Sequence, residues 1–135
     1  MQVYDITPMG KPRMTQRDKW AKRKCVSNYW SFKDELKLSG MTLPEQYHVV
    51  AVLPMPQSWS NKKKRQHLAK PHQQKPDRDN IDKAITDALY KDDAHLWDGR
   101  VSKLWGYQGF ILVSTCNTPG VLDCAKQIIQ EQQAA

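Results

Sequence analysis

The sequence predicts a single small α+β domain, and three observations carry that expectation. A chain of 135 residues is one domain's worth and can bury a core of its own. The run from Tyr47 to Met55 is β-branched and apolar (Val49, Val50, Val52), as a strand stopping before Pro56 should be. Between Asp79 and Leu89, Ile81, Ala84, Ile85, Ala88 and Leu89 recur at i, i+3, i+4, i+7 and i+8, the single apolar stripe of a helix.

The remaining elements follow in chain order. Val3, Asp5 and Thr7 alternate with Tyr4 and Ile6, a first strand over residues 2–7 that Pro8-Met9-Gly10 ends. Residues 10–24 are polar and basic. Val26, Tyr29, Trp30 and Leu36 approximate one face of a helix from Val26 to Leu38, ended by Ser39-Gly40. The second basic segment, 57–76, contains Lys62-Lys63-Lys64-Arg65, where Ser60 caps a short helix over 61–69 that Pro71 ends. Val101 to Cys116 supplies one or two strands, a hairpin if the turn falls near Gln108-Gly109. Thr118-Pro119 opens a last helix with a capping hydroxyl and Pro at its first position, and residues 127–135 are expected to fray.

Charge is unevenly spread. Lys and Arg number 21 against 14 Asp and Glu, a formal charge of +7 and a pI near 9.4. Residues 1–76 hold 15 basic and 5 acidic side chains (+10), whereas 77–135 hold 6 and 9 (−3). The basic half suits a phosphate backbone, and nucleic acid is the leading partner ahead of an anionic membrane surface. No stretch approaches the roughly 20 apolar residues that span a bilayer. The N-terminus lacks a signal-peptide pattern, and the expectation is a cytoplasmic protein. Cys25, Cys116 and Cys124 form no CxxC pair; they fit a reducing compartment and small buried thiols, and their spacings to the four histidines exclude a zinc site.

The acids concentrate in Lys75-Pro76-Asp77-Arg78-Asp79-Asn80-Ile81-Asp82-Lys83 and in Asp92-Asp93. Asp77 and Asp79 are two apart before a helix, so in extended backbone both carboxylates can face one ion. Pro76 fixes its own φ and holds the residue before it extended. Two or three carboxylates, with water and a phosphate oxygen, describe a Mg²⁺ site. A plainer reading also accounts for part of the pattern: Asp79 as N-cap and Asp82 as an N3 acid stabilise a helix by roughly 1 kcal/mol without chemistry. At ~100° per residue, Asp79, Lys83 and Asp87 lie opposite the apolar stripe. A PD-(D/E)xK nuclease is excluded, because Asp82 and Lys83 are adjacent and helical rather than spaced as acid-x-Lys on a later strand.

The string K-P-D-x-D-N-x-x-K-x-x-x-D-A-L from Lys75 to Leu89, followed by Asp92-Asp93, resembles the signature of RusA-like Holliday junction resolvases of bacteria, phages and prophages. Gly10-Lys11-Pro12-Arg13-Met14-Thr15 and Ser58-Trp59-Ser60-x-Lys62-Lys63-Lys64-Arg65 extend the resemblance from about residue 4 to residue 115. It implies a mixed sheet with packed helices, a homodimer, and Mg²⁺- or Mn²⁺-dependent hydrolysis of four-way DNA junctions by paired nicks. It also implies metal ligation by Asp77, Asp79 and Asp93, with Asp92 as a further acid, and a catalytic role for Lys83. Lys11, Arg13, Arg17, Lys62, Lys63, Lys64, Arg65 and Lys75 would contact DNA. Relatives often carry a longer insert before the acidic pair, where only Tyr90-Lys91 stand here. The rival readings are a non-catalytic branched-DNA-binding protein and a less specific metal-dependent nuclease. Trp20 and Trp59 either pack or stack on opened bases, with packing the favoured role.

Overall fold

A computed structural model describes residues 1–13 and 24–132 of the chain. In order, the elements are β1 (Gln2–Tyr4), α1 (Lys24–Ser39), β2 (Gln46–Pro54), α2 (Asn61–His67), α3 (Arg78–Leu89), β3 (Asp98–Gly106), β4 (Phe110–Thr115) and α4 (Val121–Glu131). They form one α+β domain around a mixed four-stranded sheet ordered β1-β4-β2-β3. β4 runs antiparallel to β1 and β2, while β2 and β3 are parallel.

The apolar run of β2 is explained by its central position. Val49, Ala51 and Leu53 face one core with Tyr29, Phe32, Leu36, Ile81 and Ile85 of α1 and α3. Val50 and Val52 face the other, with Val121, Ala125 and Ile129 of α4. A strand buried on both faces has no reason to alternate with polar residues. β4 divides in the same way, Ile111 and Val113 against Phe110 and Leu112.

Several sequence expectations are corrected. β1 stops at Tyr4 rather than residue 7. β3 and β4 turn at Tyr107–Gly109 but do not form a hairpin, because β2 lies between them and pairs with both. Helix α4 begins after Gly120, whose φ of 72° no β-carbon favours, and Thr118 does not cap it. The Thr118 hydroxyl instead meets that of Thr115 at 2.6 Å. Residues 127–131 are helical rather than frayed, and the Gln132 side chain ties this end down: its Oε1 accepts from the Tyr107 and Gln108 amides and its Nε2 donates to the Gln108 carbonyl. None of the thiols is fully buried; Cys25 is exposed and Cys116 and Cys124 are half-buried. Helix α2 has its expected cap, with the Ser60 hydroxyl accepting from the Lys63 amide at 3.1 Å.

Candidate active site

The acidic string lies in the crossover between the parallel strands, and β3 holds the segment leading to it. After α2 the chain runs along β3: the Ala69 amide bonds the Trp105 carbonyl, the Trp105 amide the Lys70 carbonyl, and the His72 amide the Lys103 carbonyl. The Lys103 ammonium then donates to the carbonyls of Gln74 at 2.7 Å and Pro76 at 2.8 Å. This path delivers Asp77 to the start of α3.

Asp77, not Asp79, occupies the N-cap position, and its side chain makes no capping bond. Its backbone carbonyl accepts from Asn80 and Ile81 and starts the helix, and the residue is exposed. Asp79 stands in the first turn, 94% exposed at its side chain, with Arg78 at a loose 3.8 Å. Lys83 is exposed one turn further along, on the face away from the core. The acidic pair divides its work: Asp92 Oδ1 accepts from the Ala94 amide at 3.0 Å and shapes the turn, whereas the Asp93 side chain is exposed. Despite the short Tyr90-Lys91 connection, the charge of Asp93 reaches both Asp82 and Tyr47.

Asp82 is more than the helix-stabilising acid expected from its spacing. It accepts a hydrogen bond from the Tyr47 hydroxyl at 2.6 Å and is half-buried between α3 and β2. Burial raises its carboxyl above the usual range against the pull of Tyr47, and the charges of Asp79 and Asp93 raise it further. The Tyr47 hydroxyl is pushed well above its ordinary range by burial and by the same carboxylate. Gly99 makes room for this pair, since a β-carbon there would collide with the Tyr47 ring. Periodicity could not have found Asp82, because its partner is distant in sequence. Lys103 was missed for the same reason.

Asp79, Asp82 and Asp93 therefore share one electrostatic field, and Asp77 acts on Lys103. Among the described residues no three acidic, histidine or cysteine side chains stand together at metal-ligand spacing. The donor chemistry fits a hard divalent cation: exposed carboxylate oxygens without competing capping bonds at Asp77 and Asp93.

Cations flank the acids. Lys11, Pro12, Arg13, Asn80 and Lys83 line an open cleft of about 490 Å³. Its N-terminal wall is fixed by the Lys11–Asp87 ion pair at 2.7 Å and by the Lys11 amide on the Asn80 carbonyl. Gly10 allows that approach, because a β-carbon would lie 2.6 Å from Asn80 Nδ2 and 2.8 Å from Pro76 Cβ. Lys62, Lys63, Arg65 and Lys75 are exposed and Lys64 is half-buried. Lys63 sits over the Trp59 ring at 4.4 Å, and Trp59 packs on Trp105 and His67, each at 4.8 Å between centroids, so it packs as expected. Arg17 and Trp20 lie outside the described residues.

No described helix is long and apolar enough to cross a membrane. No curated protein and no solved structure matches the chain. The family described as Endodeoxyribonuclease RusA matches residues 5–114, a span that contains the glycine-lysine segment, the basic helix, every acid of the site and Lys103. With that match over most of its length, the chain belongs to the RusA endodeoxyribonuclease family.

Proposed function

We propose that this endonuclease resolves four-way DNA junctions, cutting opposed strands as a homodimer with Mg²⁺, or Mn²⁺ in its place, in the cytoplasm of a bacterial cell or phage-infected host. The observation that carries the reading is the pair of exposed carboxylates, Asp77 and Asp79, at the start of α3 beside a cleft lined by Lys11, Arg13 and Lys83. Asp77, Asp79 and Asp93 would hold the ion, with Asp92 keeping the turn that presents Asp93. A bound divalent cation polarises a phosphate and lowers the pKa of an attacking water.

The chain's own residues do the rest. Lys83 offsets the negative charge that grows on the phosphate during in-line attack. The cleft cations fix the strand's register, and Lys62, Lys63, Lys64, Arg65 and Lys75 add sequence-independent affinity that salt weakens. Hydrolysis in this manner leaves 5′-phosphate and 3′-hydroxyl ends. The test is incubation of labelled four-way junction, duplex and single strand with Mg²⁺ or Ca²⁺, using wild type and Asp77→Asn. Junction cleavage under Mg²⁺ that Asp77→Asn abolishes while junction binding persists supports the reading. Equal cleavage of all three substrates makes the enzyme a less specific nuclease, and binding without cleavage makes it a branched-DNA-binding protein.

A further inference from the structure

Lys103 lies outside the acidic string, on the strand that flanks it, and its place is costly. It occupies β3 between Val101 and Trp105, both buried, and the sheet edge beside it is covered by residues 69–72. Lys103 is half-buried there, and its ammonium loses part of its hydration. What the ammonium gains is specific: two backbone carbonyls, Gln74 O at 2.7 Å and Pro76 O at 2.8 Å. The second belongs to the peptide that leads directly into Asp77.

We propose that Lys103 is a positioning residue of the nuclease site, a cationic pin that holds the 74–76 carbonyls on β3 and so fixes where Asp77 presents its carboxylate. The inference rests on the reading of Asp77 as a ligand for a divalent cation. Backbone bonding alone does not reach this far, since the ladder-like contacts of the covering segment end at His72. Beyond that residue, Lys103 makes the side-chain link from the sheet to residues 74–76 among the described residues. The Asp77 side chain has no capping bond to restrain it, so its carboxylate follows the backbone, which α3 holds on one side and residues 74–76 hold on the other.

Charge and position make opposite predictions here. Lys103 is a cation beside Asp77, so as a charge alone it opposes a second cation, and its removal would tighten metal binding. As a pin, its removal lets the Asp77 segment drift and weakens metal binding. Groups that orient metal ligands from behind are worth roughly 10–100-fold in metal affinity or activity.

The experiment measures Mn²⁺ binding by the loss of the free-ion EPR signal for wild type, Lys103→Met and Lys103→Arg, alongside junction cleavage in Mg²⁺ and junction binding in Ca²⁺. The expected result is Mn²⁺ binding weakened about tenfold in Lys103→Met, turnover at saturating junction reduced in step, junction affinity within about twofold, and recovery in Lys103→Arg, which keeps two donors. Unchanged or tighter Mn²⁺ binding in Lys103→Met overturns the proposal. So does a loss of junction affinity that accounts for the loss of cleavage, which would make Lys103 a DNA contact. If a thermal melt shows Lys103→Met unfolded, Lys103→Gln, which keeps a neutral NH2 donor group and removes the charge, is read by the same criteria. A wild-type protein that neither binds Mn²⁺ nor cleaves overturns the cation-dependent reading itself, whereas a competent wild type with an unaltered Lys103→Met overturns the pin alone.

Discussion

The Tyr47 hydroxyl on the central strand donates to the Asp82 carboxylate on α3 across 2.6 Å, a direct bond between sheet and helix at the acidic site. Removing the donor leaves a half-buried carboxylate short of a partner. A hydrogen bond to a charged group contributes about 1.5–3 kcal/mol, and the partial exposure of Asp82 reduces that here. Tyr47→Phe is expected to destabilise the protein by about 1–2 kcal/mol, read from urea denaturation, with the slope of the transition unchanged.

Asp82 itself sets a pH dependence. Its folded carboxyl lies above the ordinary value of 3.8, chiefly through burial, so the folded state holds this proton more tightly than the unfolded chain. Stability from this group is fully present below 3.8 and is lost as pH rises through the folded value. Asp82→Asn keeps an acceptor for Tyr47 and removes the charge. It should melt higher than wild type at pH 7, with the difference closing as the pH falls towards 4; a lower melting point at neutral pH would contradict this.

The two members of the acidic pair should separate under substitution. Asp92 accepts from the Ala94 amide, and asparagine makes the same turn. Asp92→Asn is expected to keep cleavage within about fivefold of wild type, given that an Asx turn tolerates either residue. Asp93→Asn removes a charge from the shared field of Asp82 and Tyr47 and should reduce turnover at least about a hundredfold, the scale of one lost electrostatic contribution to a transition state. Single-turnover cleavage of a labelled junction measures both.

Affinity for DNA should come unequally from the basic residues. Lys62 and Arg65 are exposed on α2, whereas Lys11 is paired with Asp87 at 2.7 Å. Lys62→Ala and Arg65→Ala are each expected to lower the slope of log K against log salt by about 1. Lys11→Ala should change it less and should also lower stability, by about 0.5–1 kcal/mol for a partly exposed pair. Junction binding in Ca²⁺ over a salt series, with a melt for each variant, distinguishes these outcomes.

The sheet should add a pH dependence of the opposite sign. His48 and His72 are buried, and burial holds each below the ordinary 6.5, aided by Arg100 and Lys103 respectively. Their stabilising contribution is present above 6.5 and is lost as pH falls through the folded values. His72→Phe keeps a ring against Trp105, which His72 meets at 3.9 Å between centroids, and removes one titration. Its stability between pH 6.5 and 5 should fall less steeply than that of wild type, by at most about 1.4 kcal/mol per pH unit.

Much of this was legible locally. The stripe from Ile81 to Leu89 and the β-branched run of β2 report burial that neighbouring residues share, and both elements form close to their expected bounds. The D-x-D-N string placed the acids because their spacing on α3 is a local property. What was not legible depends on contacts between distant segments. Nothing near Asp82 announces Tyr47, nothing near Lys103 announces Pro76, and only the sheet order shows that β3 and β4 flank β2 instead of pairing with each other. Thr118-Pro119 looked like a helix start on composition alone, yet the hydroxyl found Thr115 and Gly120 took the capping position.

The position of the acids within the β2-to-β3 crossover also orders events during synthesis. Tyr47 precedes the crossover and Lys103 follows it, and the parallel register from Gln46↔Asp98 to Pro54↔Gly106 forms only after that long loop closes. Closing it costs chain entropy before any pairing repays it, which makes the step slow compared with forming α1 or α3. A nascent chain that has emerged only as far as α3 therefore carries Asp77 and Asp79 without Asp93 and without β3, whose Lys103 bonds the carbonyls of Gln74 and Pro76. The Lys103 link to the segment before Asp77 arrives with the docking of β3, so a copy truncated after α3 keeps the basic segments but lacks both that link and Asp93.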